Sequence, residues 1–275
     1  MTLYAPPPSE QIRTAATFAP TASTGRVRVM TYNVRRCFGR DGGYSPERIA
    51  RVIAQSGAQV IALQELDVNR GRSGTIDQAL AIAAALGMTH HFHPAMSIAE
   101  EQYGDAILSA LPLRLIKAGA LPSIPRHARL EPRGALWVEV ALGDRALQVI
   151  TTHFGLLGHE RVLQADALTG PDWLGHPACR APVVVVGDFN AIPRSKAYRR
   201  MTRDLRDVQK IKPFTARATF PSAWPLLRID HVFVSRDLLV RDVVVLREGE
   251  ARVASDHLPL CVDLEVPPAG SGDVA

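Results

Sequence analysis

Val183-Val184-Val185-Val186-Gly187-Asp188-Phe189-Asn190 is the stretch on which the fold of this chain turns. Four consecutive valines make a short, wholly apolar, β-branched run, the pattern of a strand buried on both faces. The run stops abruptly in a glycine, a carboxylate and an amide. A buried strand that ends this way sets polar groups at the lip of a sheet, where ligands bind. Asp188 and Asn190 are two positions apart, so a chain that stays extended points both to one side. A carboxylate there can take or align a proton, and an amide can donate to an anionic oxygen. Gly, Asp and Asn are also ordinary turn formers, and the stretch alone reads equally well as a turn.

Other apolar runs end in the same manner. They are Met30-Thr31-Tyr32-Asn33, Val60-Ile61-Ala62-Leu63-Gln64-Glu65, Leu147-Gln148-Val149-Ile150-Thr151-Thr152-His153, Arg228-Ile229-Asp230-His231 and Ser255-Asp256-His257. In this order the set resembles the endonuclease/exonuclease/phosphatase superfamily, which includes pancreatic-type deoxyribonuclease, apurinic-site endonucleases, inositol-phosphate phosphatases and neutral sphingomyelinases. The resemblance implies an α/β (α+β) fold, a four-layer sandwich of two packed mixed β-sheets flanked by helices. It also implies hydrolysis of a phosphate ester, and it leaves the substrate open.

The resemblance assigns roles residue by residue. Glu65 becomes the principal ligand of Mg²⁺, with Mn²⁺ as a possible substitute, and Asp256 and Asn33 lie nearby. Asp188 aligns or deprotonates the attacking water. Asn190 donates to the phosphate or to that water, and His153 and His257 contact phosphoryl oxygens. Asp230 holds His257 in one tautomer and favours its protonated form. Arg133 either clamps the substrate phosphate or pairs with Glu131. Arg72 sits in the basic, glycine-rich loop Asn69-Arg70-Gly71-Arg72-Ser73-Gly74-Thr75, which is expected to overhang the site. Asp105, in Gly104-Asp105-Ala106-Ile107-Leu108-Ser109, stands where many relatives carry Asn and is expected to orient His153 by accepting a hydrogen bond. His90, His91 and His93 lack metal-ligand spacing, and His90 and His93 read as strand residues.

Composition bounds the rest. The 275 residues are 47% hydrophobic and 21% charged, ordinary for a globular chain, with a mild net charge of +5. Cys37, Cys179 and Cys261 are too few and too scattered for a disulfide framework or a zinc site, and reduced thiols suit the cytoplasm. No run reaches the roughly 18 apolar residues of a membrane helix. Residues 1–25 read as a flexible arm without the pattern of a secretory signal, 26–266 as one catalytic domain, and 267–275 as a disordered tail. A monomer is expected.

Helices are predicted from Ser45-Pro46 to Gly57, over Ile76–Leu86, Glu160–Leu168 and Ser195–Thr202, and a hairpin turns at Gly143-Asp144-Arg145. Two departures argue against an apurinic-site nuclease. Asn33 is followed by Val34-Arg35-Arg36 where that branch has Asn-Gly, and Asp67 stands where it has Lys. Nucleic acid, a phospholipid headgroup and a small phosphate ester remain as substrates. A non-catalytic binding module of the same fold predicts a lost ligand or base, and none is lost. Specificity is expected in loops 35–44, 68–75 and 210–227, with Trp224 bordering the pocket.

Overall fold

The computed structural model describes residues 25–124, 130–213 and 218–266. The arm expected over 1–25, apart from Gly25, and the tail expected over 267–275 lie outside these residues. Each six-stranded sheet has a parallel pair of strands at its centre. In the first, β1 (Arg26–Asn33) runs parallel to β2 (Val60–Val68), and β12 (Leu260–Glu265) pairs antiparallel with β1. Outside them lie β11 (Leu239–Val245) on one edge, and β4 (Glu101–Ser109) then β3 (Thr89–Ile98) on the other. In the second, β7 (Arg145–His153) runs parallel to β8 (Val183–Asp188), with β6 (Gly134–Leu142) and β5 (Leu113–Ala120) beyond β7. On the far side of β8 lie β10 (Asp230–Val234) and the two-residue β9 (Arg206–Asp207).

The valine run shows why the sheets stack. Val184 and Val186 enter the core between the sheets, together with Val29, Val60, Val138 and Val232. Val183 and Val185 face the opposite way, into a layer built on α3 (Gly158–Leu168) and α4 (Lys196–Met201). On the first sheet, Met30, Tyr32, Ile61 and Leu63 face α1 (Pro46–Ser56) and α2 (Gln78–Leu86). Period-two alternation therefore fills three apolar layers, and each fully buried valine contributes roughly 1.5–3 kcal/mol. The result is the expected four-layer sandwich.

Local chemistry fixes the helices. Ser45 accepts from the Arg48 N–H at 3.1 Å, Pro46 opens α1, and Gly57 closes it in the left-handed region at φ 66°. α2 starts at Gln78 rather than Ile76, because the Asp77 carboxylate accepts from Leu80 N and so caps the helix. The hairpin at Gly143-Asp144 joins β6 to β7 as predicted. His90, His91 and His93 lie on β3. No helix among the described residues is long and apolar enough to cross a membrane.

Candidate active site

The two parallel pairs end side by side. Asn33 is the last residue of β1, Glu65 lies in β2, His153 ends β7 and Asp188 ends β8. Asp230 opens β10 directly opposite Asp188 in the ladder. One end of the sandwich thus collects polar side chains that five separate strands deliver.

Beneath it the sheets are tied together. The buried Gln64 accepts from Thr31 at 3.3 Å within its own sheet and donates to Thr151 of the other at 3.1 Å. At the next residue β2 bulges: its register against β4 shifts between Leu63 and Leu66, and Glu65 adopts φ 63°. A left-handed backbone at a non-glycine residue costs about 1–3 kcal/mol, and bulges re-aim side chains. Here the bulge turns the Glu65 carboxylate toward Asn33. The Asn33 amide donates to Glu65 Oε1 at 2.8 Å and to Asp188 Oδ2 at 3.1 Å, spanning the seam between the sheets. Its own oxygen accepts from Arg35 N at 3.0 Å.

Asp188 Oδ2 is the meeting point. His153 Nε2 lies 3.6 Å from it and His257 Nε2 lies 3.7 Å from it. The chain does not stay extended beyond this strand. Asn190 sits at φ 46°, and its N–H donates to Asp188 Oδ1 at 2.9 Å, an Asx turn. The turn reading of Gly-Asp-Phe-Asn therefore holds. The bend still brings Asn190 Nδ2 to 3.2 Å from His153 Nε2 and lets it donate to the Phe154 carbonyl at 2.9 Å.

The two imidazoles are held differently. His257 Nδ1 lies 2.9 Å from Asp230 Oδ2. Burial pulls His257 down, but Asp230 and Asp188 outweigh it and raise the group to about 10, so the ring is an imidazolium. His153 Nδ1 lies 3.0 Å from Arg133 Nη1. A guanidinium can only donate, so with Arg133 as its partner Nδ1 accepts and the ring proton sits on Nε2, turned toward Asp188 Oδ2, and the nearby Asn190 NH₂ is no hydrogen-bond partner of Nε2. Burial, Arg133 and His257 hold His153 well below the usual imidazole range, so it stays neutral. This corrects the expectation that Asp105 orients His153. The Asp105 carboxylate faces the Glu65 N–H at 3.4 Å, and burial pushes it up to about 7 despite Arg133 nearby. Burial and the neighbouring Asp230 also push Asp188 upward.

Arg133 is 5% exposed and reaches Glu131 at 3.2 Å as well as His153. Arg72 is clamped in a two-pronged pair to the buried Asp67, at 2.7 and 2.8 Å, so its loop is pinned through that carboxylate. Asp256 pairs with Arg35 at 3.3 Å, and Ser255 Oγ donates to the Asn33 carbonyl at 2.8 Å. Thr219, which no sequence signal marks, donates to Asp230 Oδ2, and Phe220 lies 4.8 Å from the His257 ring. Trp224, expected to border the pocket, stands 80% exposed at a loop tip.

Two groupings offer donors to a cation. Asp188, Asp230 and His257 present ligand atoms within 4.8 Å of one another, and Asp230 Oδ1 is buried without a hydrogen-bond partner. Both nitrogens of His257 face carboxylates, Nδ1 toward Asp230 and Nε2 toward Asp188, so this grouping is also tied together by its own contacts. The second, expected from the sequence, is Glu65 with Asp256 and Asn33: the two carboxylates carry the oxygen donors that suit Mg²⁺, whereas the Asn33 amide turns its NH₂ to Glu65 and its oxygen to Arg35 N. The strained backbone at Glu65 marks this position as one that the fold over-determines.

Comparison with known proteins identifies the family and the fold. The uncharacterized protein YbhP of Escherichia coli K12 is 28% identical over 171 residues, 61% of this chain. The chain spans 64% of that relative's length. An endonuclease/exonuclease/phosphatase from Beutenbergia cavernae shares the fold with a TM-score of 0.68 at 22% identity, over 89% of this chain and 72% of that one. A mannosyl-6-phosphatase from Bacteroides thetaiotaomicron does so with a TM-score of 0.69 at 21% identity, over 86% and 99%. The family model that describes endonucleases, exonucleases and phosphatases matches residues 30–257, from β1 to His257. The chain belongs to the endonuclease/exonuclease/phosphatase family, whose members hydrolyse phosphate esters.

Proposed function

We propose that this protein is a divalent-cation-dependent phosphoesterase, cleaving a phosphodiester or phosphomonoester by in-line attack of a water activated by Asp188. The observation that carries the reading is the convergence on one carboxylate oxygen, Asp188 Oδ2, of an amide and two imidazoles from both sheets. Glu65, with Asn33 and Asp256, would hold Mg²⁺ or Mn²⁺, which supplies charge relief at the phosphoryl oxygens when bound.

The side chains divide the remaining work. A carboxyl raised by burial is a better base near neutral pH than an ordinary aspartate, which suits Asp188 to receive the proton of the attacking water. The Asn33 amide fixes its orientation. His257, held charged by Asp230, offers a cationic N–H to a phosphoryl oxygen. His153 offers a neutral Nε2–H whose direction Arg133 sets, and Asn190 adds an amide beside it. No covalent nucleophile is required.

The test is hydrolysis of a panel in Mg²⁺ or Mn²⁺: bis-p-nitrophenyl phosphate, supercoiled plasmid, single-stranded DNA, RNA, sphingomyelin, inositol phosphates and a sugar phosphate. The last probes monoester cleavage, the activity for which the Bacteroides neighbour is named. Turnover should vanish with EDTA and fall by about 10²–10⁴ in Asp188→Ala, the scale of a lost general base. An Asp188→Asn variant with full activity would overturn the base assignment. Cation binding without turnover of any substrate would favour the non-catalytic module instead.

A further inference from the structure

The loops that leave β7 and β8 and the loop that enters β10 share one end of the second sheet, because β7 and β8 are parallel and β10 is antiparallel to β8. That is the end bearing His153, Asp188 and Asp230. Each loop exposes a large apolar side chain: Leu156 at 67%, Ile192 at 51%, and Trp224 and Leu226 at 80% and 79%. Nothing in the catalytic cluster uses them. A soluble surface has no reason to concentrate such residues on three neighbouring loops around one site.

The third loop is built to hold its apolar tip out. Phe220 and Leu227 bridge as a short antiparallel pair, and Trp224 N and Leu226 N donate to the Pro221 and Phe220 carbonyls. Its base is fixed to the site by the Phe220 contact with His257 and by the Ser222 N–H, which donates to the Asp256 carbonyl. Its flank is basic. Arg252 donates to the Ala223 carbonyl at 2.9 Å, and Arg40 donates to the Arg252 carbonyl at 3.2 Å. Both arginines are exposed, and among the described residues neither pairs with a carboxylate.

We infer that this rim docks the site onto an anionic phospholipid surface, with Trp224 and Leu226 entering the interface and Arg40 and Arg252 meeting lipid phosphates. A tryptophan carried by aliphatic neighbours and flanked by arginines is the composition of an interfacial anchor. A platform for nucleobases would instead present several aromatic rings along a basic groove, whereas among the described residues of these loops Trp224 is the one exposed aromatic side chain. The inference rests on the phosphoesterase reading only for what the surface presents to the site, a headgroup phosphoester beside His257. Docking itself needs no turnover.

The chain carries its own reporter. Of its three tryptophans, Trp137 and Trp173 are 1% and 3% exposed, so a change in emission on binding comes from Trp224. The full-length protein would be titrated with phosphatidylglycerol vesicles, phosphatidylcholine vesicles and oligothymidylate, following emission and co-sedimentation. Phosphatidylglycerol should shift emission to the blue and carry the protein down, less so as salt rises. Combining Trp224→Ala with Leu226→Ala should raise the lipid concentration for half-sedimentation by about tenfold or more. No shift with phosphatidylglycerol would overturn the inference. A response to oligothymidylate alone would also overturn it and assign Trp224 to base stacking. Vesicle binding without hydrolysis of bis-p-nitrophenyl phosphate would leave the docking standing and count against the catalytic reading.

Discussion

Replacing Arg133 by Gln tests the division of labour between the two histidines. In the wild type the guanidinium forces His153 into the Nε2–H tautomer and keeps it neutral. Glutamine removes the buried charge and can present either an oxygen or an NH₂ to Nδ1, so both tautomers become available. Loss of a hydrogen bond from a charged donor costs about 1.5–3 kcal/mol of stability. The effect on catalysis should be larger than a simple packing defect. A misdirected donor at a developing oxyanion costs about 10²–10³ in kcat, and a neutral tautomer mixture retains part of the function, so a fall of about 10- to 100-fold is expected. The pH behaviour gives the decisive readout. Below pH ~6.5 the unfolded His153 binds a proton that the folded ring refuses, so its contribution to stability is full above that pH and is lost as pH falls. Without Arg133 the folded pKa rises, and this acid-side loss shrinks. Ring ¹⁵N shifts of His153, followed between pH 5 and 9 beside steady-state hydrolysis, would report tautomer, titration and rate together. A variant whose His153 kept the Nε2–H form, did not titrate and turned over at the wild-type rate would refute the reasoning.

Two further outcomes follow from buried groups elsewhere at the site. Asp105→Asn should stabilise the metal-free protein: a rise from 3.8 to about 7 corresponds to at most about 4 kcal/mol, a penalty that grows from pH ~4 to ~7 and is level above. Thermal melts in EDTA should therefore show a gain that is small near pH 4 and full at pH 8, and a gain independent of pH would be the wrong result. Gly187→Ala should cost upwards of about 3 kcal/mol, because Gly187 lies at φ 151° and a Cβ there meets the Thr152 carbonyl of the adjacent strand. Denaturant unfolding should show that loss, and activity should fall with it as Asp188 is drawn away from His153.

Much of the architecture was legible in the chain. Four valines in a row have no polar face to offer water, so both faces had to be covered, and they are. Ser45-Pro46 and Gly57 mark a helix by their own chemistry. Asn33, His153 and Asp188 end their strands as the sequence suggests, whereas Glu65 lies inside β2 at its bulge and Asp230 opens β10 rather than ending a strand. What could not be read was which partner each polar group takes. Arg133 and His153 are 20 positions apart, and no local pattern tells an arginine that orients a histidine from one that clamps a phosphate. The bend at Asn190 was likewise hidden, since Asp-Phe-Asn fits an extended lip and an Asx turn alike. Arg72 looked like a substrate residue because its loop is basic, and its charge instead answers the buried Asp67 five positions earlier.

The pairing of β12 with β1 has a consequence for how the protein comes into being. A strand near one end of the described chain waits for a strand at the other, and Asp256 and His257 lie just ahead of β12. During synthesis, Asn33 and Glu65 therefore leave the ribosome long before the residues that complete their surroundings. Until residues 256–265 emerge, the chain holds an open sheet edge and an unassembled site.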